Sequence, residues 1–369
     1  MVNFLLNKNL IKILAICLFF SAVIFPQQRD ETRAVWVTTN YRLDWPSEID
    51  DEESQKEELE EIFENIKAQN LNTIYFQVRN SGKVLFHSVY ESFLPFFAGE
   101  NNNQPNYDPA QYAIDLAHEK GLKIHAWVNM VRCYSRNGYI ENIDSSHLIN
   151  KHPGWVIKHS EGKSISYWLD PGLPEARKYL VNILAEIVSK YNFDGIQYDF
   201  IRYPGRNFDD DFSYYAYGEE KDRDDWRREN INKLLDEAQS VIREIKPNIE
   251  IGATPIGIYK NGKGYYALQG YHDVYQDSYY WLQNNYVDYL VPQIYWSLNN
   301  KPDFTSVAKT WINNSFGKKI ILGIGAFKPD VIKDLEKIIY FSQNSSVAGF
   351  AIFRYSDIKD LNLNRFIVD

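Results

Sequence analysis

After residue 30 the chain alternates short runs of β-branched and aromatic residues with longer stretches of helical periodicity. Parallel strands need a crossover between them, and this alternation is the pattern of βα units. Strand-like runs cover 32–38, 72–79, 123–130, 193–200, 250–254, 287–295, 319–325 and 347–353. Eight such units predict an α/β chain folded as a (β/α)8 TIM barrel. Helices are expected near 55–70, from Asp108 to Gly121, over 174–191 and over 224–246, the last stopped by Pro247. Asp108 with Pro109 supplies a cap and a first-turn proline, while Ser54 and Glu57 have capping-box spacing. The stretch 357–369 is barely amphipathic, so the eighth helix is weak. Long loops follow strands two, three, four and five, and in such barrels these loops build the site at the carboxyl end of the sheet. No Ser-, Gly- or Pro-rich linker divides the chain, so 30–369 reads as one barrel domain.

Ahead of the barrel, Lys8 and Lys12 precede an uncharged apolar run from Ile13 to Phe25. That run is shorter than the ~20 residues of a membrane-spanning helix, so residues 1–26 read as a signal peptide. The expectation is an exported protein of the periplasm, cell envelope or medium, with no stable membrane span once the signal is removed. Cys133 is then the one cysteine left, and the core must supply stability without an internal disulfide. A formal net charge of −9 argues against a phosphate-backbone binder, so nucleic acid is not an expected partner. Aromatics reach 15%, and their flat apolar faces suit sugar rings as well as a core.

Side chains alternate across a strand, so one parity of each barrel strand faces the axis. Packing Ile74, Phe76 and Val78 under helices sends Tyr75, Gln77 and Arg79 inward. Strand three sends in His125, Trp127 and Asn129, strand four Gly195, Gln197 and Asp199, and strand six Tyr289, Val291, Gln293 and Tyr295. A structural barrel places Val, Ile or Leu there, whereas each unpartnered buried polar group costs about 1–3 kcal/mol. Convergence of polar groups on one mouth therefore marks a site. Among them Asp199 is the acid at a strand end. Its carboxylate can attack an anomeric carbon, stabilise an oxocarbenium ion or orient an acetamido group. No His-x-His strand, HExxH or inward carboxylate cluster is present, so neither metal nor other cofactor is expected.

The motifs RAVWVT, FQVR, HAWVN, WLDPGLPEAR, YNFDGIQYDFIRYP, DDWRRENIN, GATPIGIYKNG and VDYLVPQIYW occur in this order between residue 32 and about 300. Together they resemble the bacterial glycosyl-hydrolase-like family labelled family 10. The resemblance implies a TIM barrel at the cell envelope or outside the cell, acting on glycans that include peptidoglycan strands. By position, Asp199 matches the strand-four acid that related barrel glycosidases use as nucleophile or stabiliser. Many relatives carry a second acid directly after it, where this chain has Phe200.

Glycoside hydrolysis ordinarily uses two carboxyl groups. Asp277 and the loop acids Asp209, Asp210 and Asp211 are candidates for the general acid, although Asp277 is also placed to cap a helix. Asp170, beside Pro171, reads as structural or as a loop ligand. Gln77, Arg79, His125, Asn129, Arg202 and Gln293 are expected to contact the sugar. Trp127, Tyr295 and Trp296 are expected to stack on it, with parity aiming Trp296 outward. Arg79 and Arg202 are expected to bind the carboxylate of an acidic sugar. Two alternatives are a glycan-binding barrel without catalysis and, less well matched, a metal-dependent deacetylase.

Overall fold

The computed structural model describes residues 31–47, 51–97, 105–137, 143–218 and 220–367, so the expected export segment lies outside the described residues. The strands are β1 (Thr32–Val37), β2 (Thr73–Asn80), β3 (Lys83–Val84), β4 (Lys123–Asn129), β5 (Arg132–Asn137), β6 (Val156–Glu161) and β7 (Ser164–Leu169). They continue with β8 (Gly195–Asp199), β9 (Glu250–Ala253), β10 (Tyr289–Leu290), β11 (Gln293–Ile294), β12 (Lys319–Gly325) and β13 (Gly349–Phe353). Parallel pairing runs β1-β2-β4-β8-β9-β10-β12-β13 and returns to β1, which closes an eight-stranded barrel. β10 and β11 together make its sixth strand.

The sixth run was expected as one strand over 287–295 and is broken instead. Pro292 has no N–H to give a ladder. β10 therefore pairs with both neighbours, β11 pairs with β12, and Gln293 N–H reaches Pro255 O at 3.0 Å.

Helices fall close to their expected positions, at Glu52–Ala68, Pro109–Glu119, Pro174–Lys190 and Arg223–Ile245. Asp108 caps the second through the N–H groups of Ala110 and Gln111. The first begins earlier than its capping-box reading. Asp51 accepts from Glu53 N–H at 3.2 Å, and the Ser54 hydroxyl donates to Asp51 at 2.6 Å rather than capping. A carboxylate at the positive end of a helix is favoured there. After β13 the described residues make only the short turns Tyr355–Asp357 and Leu363–Arg365, as the weak eighth pattern implied.

Outward strand residues pack under the helices, and inward ones form a separate cluster including Trp36, Tyr75, Trp127, Tyr289, Val291 and Ile321. Burying each large apolar group contributes about 1.5–3 kcal/mol. At the amino-terminal end of the barrel, His125 and Tyr289 share a 2.8 Å hydrogen bond. They fit because Gly195 and Gly252 face them: a Cβ on Gly195 would lie 2.2 Å from His125 Nδ1, and one on Gly252 would lie 2.0 Å from the Tyr289 ring.

The loop after β4 carries an element the sequence reading missed, the antiparallel sheet β5-β7-β6. Gly162, at φ 58°, makes the β6–β7 turn between two runs of strand-forming residues, which is a hairpin signal. Among the described residues no helix is long and apolar enough to cross a membrane.

Candidate active site

A cavity of about 230 Å³ opens where the strands end. Its lining includes Thr38 just beyond β1, Gln77 near the end of β2, Asn129 ending β4, Asp199 ending β8, Gln293 in β11 and Phe353 ending β13. The carboxyl end of the barrel therefore holds the candidate site, and Gln77, Trp127, Asn129, Asp199, Gln293 and Tyr295 meet there, as strand alternation predicts. The walls are aromatic. Phe353 lies within 6.2 Å, centroid to centroid, of the rings of Trp36, Trp127, Tyr295 and Phe327.

Asp199 is the one carboxylic acid among the described lining residues. Its Oδ1 accepts from Phe200 N–H at 2.7 Å and Gln293 Nε2 at 3.4 Å, and its Oδ2 from Trp127 Nε1 at 3.2 Å. Burial raises its pKa, while the Phe200 N–H and the charge of Arg132 favour the ionised form. The chain turns sharply here, since Phe200 adopts φ 50°, a left-handed conformation that is uncommon outside glycine. Such conformations persist where surrounding structure enforces them, often at functional sites.

Gln77 and Asn129 play different parts. Gln77 Oε1 accepts from Thr38 Oγ1 at 2.8 Å and from the N–H groups of Thr39 and Asn40 at 3.0 Å each. It clamps the loop after β1 and has its amide nitrogen left to offer a ligand. Asn129 donates from Nδ2 to Asn80 Oδ1 at 3.3 Å, but its buried Oδ1 has no partner. An acceptor buried without a donor costs about 1–3 kcal/mol, which a ligand N–H or O–H lining up in the cavity would relieve.

Eight predicted site residues lie elsewhere. Arg79 is completely buried and paired with Glu91, Nε to Oε2 at 2.7 Å and Nη2 to Oε1 at 2.6 Å. The cause is a β-bulge: the β2–β4 register slips between Gln77 and Arg79, so alternation ends one residue short. His125 points inward as expected, but at the opposite end of the barrel. Arg202 lies behind the wall, 5.2 Å from the ring centroids of Trp168 and Phe200, with burial lowering its pKa to about 10. Trp296 packs into the outer core, beside Gly257. Asp277 precedes the helix Ser278–Gln283 without capping it, and accepts instead from Tyr259 OH at 2.7 Å. Asp210 and Asp211 are ion-paired with Arg227 and Arg223, and Asp209 is outside the lining. Asp170 is structural, accepting from Gly172 N–H at 2.8 Å, with burial raising its pKa to about 6.

Sequence reasoning missed Arg132 and Arg354, both in the lining. Each follows a barrel strand by one to three residues, so position beyond a strand end was the available signal. Among the described residues no group of three or more His, Cys, Asp or Glu could hold a metal ion.

Residues 31–335 match the family described as glycosyl hydrolase-like 10. The chain belongs to that family. Over 364 residues it is 29% identical to glycosyl hydrolase YngK of Bacillus subtilis, covering 92% of this chain and 70% of YngK. It is 31% identical over 288 residues to glycosyl hydrolase DigH of Escherichia coli K12, covering 72% of this chain and 65% of DigH. Among solved structures, the PgaB (BpsB) glycoside hydrolase domain from Bordetella bronchiseptica superposes with a TM-score of 0.61 at 11% identity. That match covers 91% of this chain and 97% of the domain, a likeness of fold. The glycosyl hydrolase-like 10 match spans all of the barrel strands from β1 to β12, including every strand that contributes Gln77, Trp127, Asn129, Asp199 and Gln293.

Proposed function

We propose that this protein is an exported glycoside hydrolase that acts on a polysaccharide, with the glycan strands of peptidoglycan as the leading substrate. Asp199 is its reacting carboxylate, as nucleophile or as stabiliser of an oxocarbenium ion. The observation that carries this reading is the placement of that single carboxylate. It is fixed by three N–H donors at the mouth of a barrel and walled by aromatic rings that stack on sugar faces. Family membership and relatives named glycosyl hydrolases support it. Export is supported by the basic, then apolar, amino-terminal segment.

In this scheme Trp127, Gln293 and the Phe200 N–H aim the carboxylate, Asn129 and Gln77 contact sugar polar groups, and Tyr295 flanks the ring. Replacing Asp199 by Asn is expected to lower turnover by at least ~100-fold while the melting temperature shifts little. The assay incubates wild type and variant with intact peptidoglycan and with glycan strands freed of peptides, and counts new reducing ends by mass spectrometry. Equal product from both proteins would remove Asp199 from the mechanism.

A second reading is a glycan-binding barrel without hydrolysis. One observation favours it: among the described residues no second carboxyl joins Asp199 in the lining. Saturable binding with no product from wild type would establish that reading in place of the first.

A further inference from the structure

Among the described residues two cations line the cavity, and they are not equivalent. Arg354 Nε donates to Ser356 Oγ at 2.9 Å and lies 3.6 Å from both Asp44 Oδ1 and Asp357 Oδ2, so its charge is already answered. The Arg132 side chain makes no hydrogen bond and no ion pair within the described residues, and its guanidinium carbon sits 3.5 Å from the centroid of the Phe200 ring. A guanidinium stacked on a ring keeps its N–H edges free for other partners, and Arg132 lines the cavity. Arg202 approaches the same ring at 5.2 Å but donates to Tyr203 O and does not line the cavity. Asp199 acts on the charge of Arg132 but forms no ion pair with it; its carboxylate is already held by three N–H donors.

The guanidinium of this half-buried cation is not sealed from solvent and feels the charge of Asp199, but its five N–H groups have no acceptor among the described residues, so direct pairing with an anion is what it lacks. An anion delivered by a ligand supplies it, and a planar fork is matched in shape and in charge by a single carboxylate. We infer that Arg132 selects a carboxylate-bearing sugar for the cavity, through a paired hydrogen bond to that carboxylate. The inference rests on the glycan reading above and narrows it to acidic glycans. It also gives Phe200 a role: the residue that stands in place of a second acid is the platform for the selecting cation.

The test uses the Asp199→Asn protein, so that binding is measured without turnover. Isothermal titration compares two probes: peptide-free strands of alternating N-acetylglucosamine and N-acetylmuramic acid, and the same strands with their carboxylates converted to methyl amides. The acidic strand is expected to bind about tenfold tighter, or about 1.4 kcal/mol. Adding Arg132→Gln is expected to bring the acidic strand down to the affinity of the amide strand and to leave the amide strand unchanged. Arg132→Lys, which keeps the charge without the fork, is expected to fall between. Thermal melts of each variant verify folding. Equal binding of the two strands, or discrimination that survives Arg132→Gln, overturns the selection by Arg132 and leaves the glycan reading standing. Failure of both strands to bind wild-type and Asp199→Asn protein overturns both.

Discussion

The guanidinium of Arg79 shows what a residue at a strand end can do besides touching substrate. It is completely buried, bonded twice to Glu91, and also donates to the backbone carbonyls of Asn129 and Met130. Because Asn129 lies in the cavity wall, Arg79 positions the site from behind. Breaking a buried pair by removing one partner leaves the other charge without compensation, at about 3–5 kcal/mol. Arg79→Met is therefore expected to lower unfolding stability in urea by about that much. Arg79→Met with Glu91→Leu is expected to recover a large part of the loss, and a double variant no better than the single one would contradict this account. Alternation made Gln77, Trp127 and Asp199 legible in the sequence, because each obeys a period of two. It misplaced Arg79 because a bulge has no sequence mark here that distinguishes it from regular strand. Arg132 was invisible to the same reasoning, since it lies past the last paired residue of β4, where parity has no meaning.

Among the elements, the barrel strands were readable and the segments between them were less so. A parallel strand buried on both sides concentrates Ile, Val and Phe in a short run, and that composition survives without tertiary information. The break between β10 and β11 was foreseeable from Pro292 alone. What the strand patterns did not reveal is how β4, β8 and β9 fit side by side at the amino-terminal end of the barrel, where two glycines leave space for His125 and Tyr289. Gly195→Ala places a methyl group 2.2 Å from His125 Nδ1, so one of the two must move. The expected cost is about 1–3 kcal/mol, read as a lowered melting temperature. Gly205→Ala meets nothing within 4 Å and serves as the control, with little expected change. Combining Gly195→Ala with His125→Ala is expected to cost less than the sum of the single changes, because the clash disappears with the ring. Strict additivity would show that the two positions do not press on each other.

For the molecule as a whole, the two ends of the barrel respond differently to acid. The mouth carries Asp199 among Arg132 and Arg354, while the opposite end buries His125, whose pKa burial pushes down to about 4 from an ordinary value of 6.5. In the unfolded chain that imidazole takes up a proton below about pH 6.5. In the folded protein it stays neutral until about pH 4. The unfolded state therefore binds more protons across this window, so stability is fully present above about pH 6.5 and is lost progressively as pH falls toward 4. A displacement of this size corresponds to about 3 kcal/mol. His125→Gln keeps a hydrogen-bonding group for Tyr289 and removes the titration. Urea unfolding at intervals from pH 7.5 to pH 4 is expected to show the variant losing less stability than wild type, with the gap opening below pH 6.5 and levelling near pH 4. Parallel curves for the two proteins would mean that His125 takes up its proton as readily in the fold as in the unfolded chain, with Glu250, 3.8 Å from its Nε2, offsetting the cost of burial. Because His125 sits at the far end from Asp199, the same substitution is expected to leave glycan turnover at pH 7 within about twofold of wild type, on the usual independence of distant sites. The acid sensitivity that His125 gives the fold would then be separable from acid sensitivity of catalysis, because the two arise at opposite ends of the barrel.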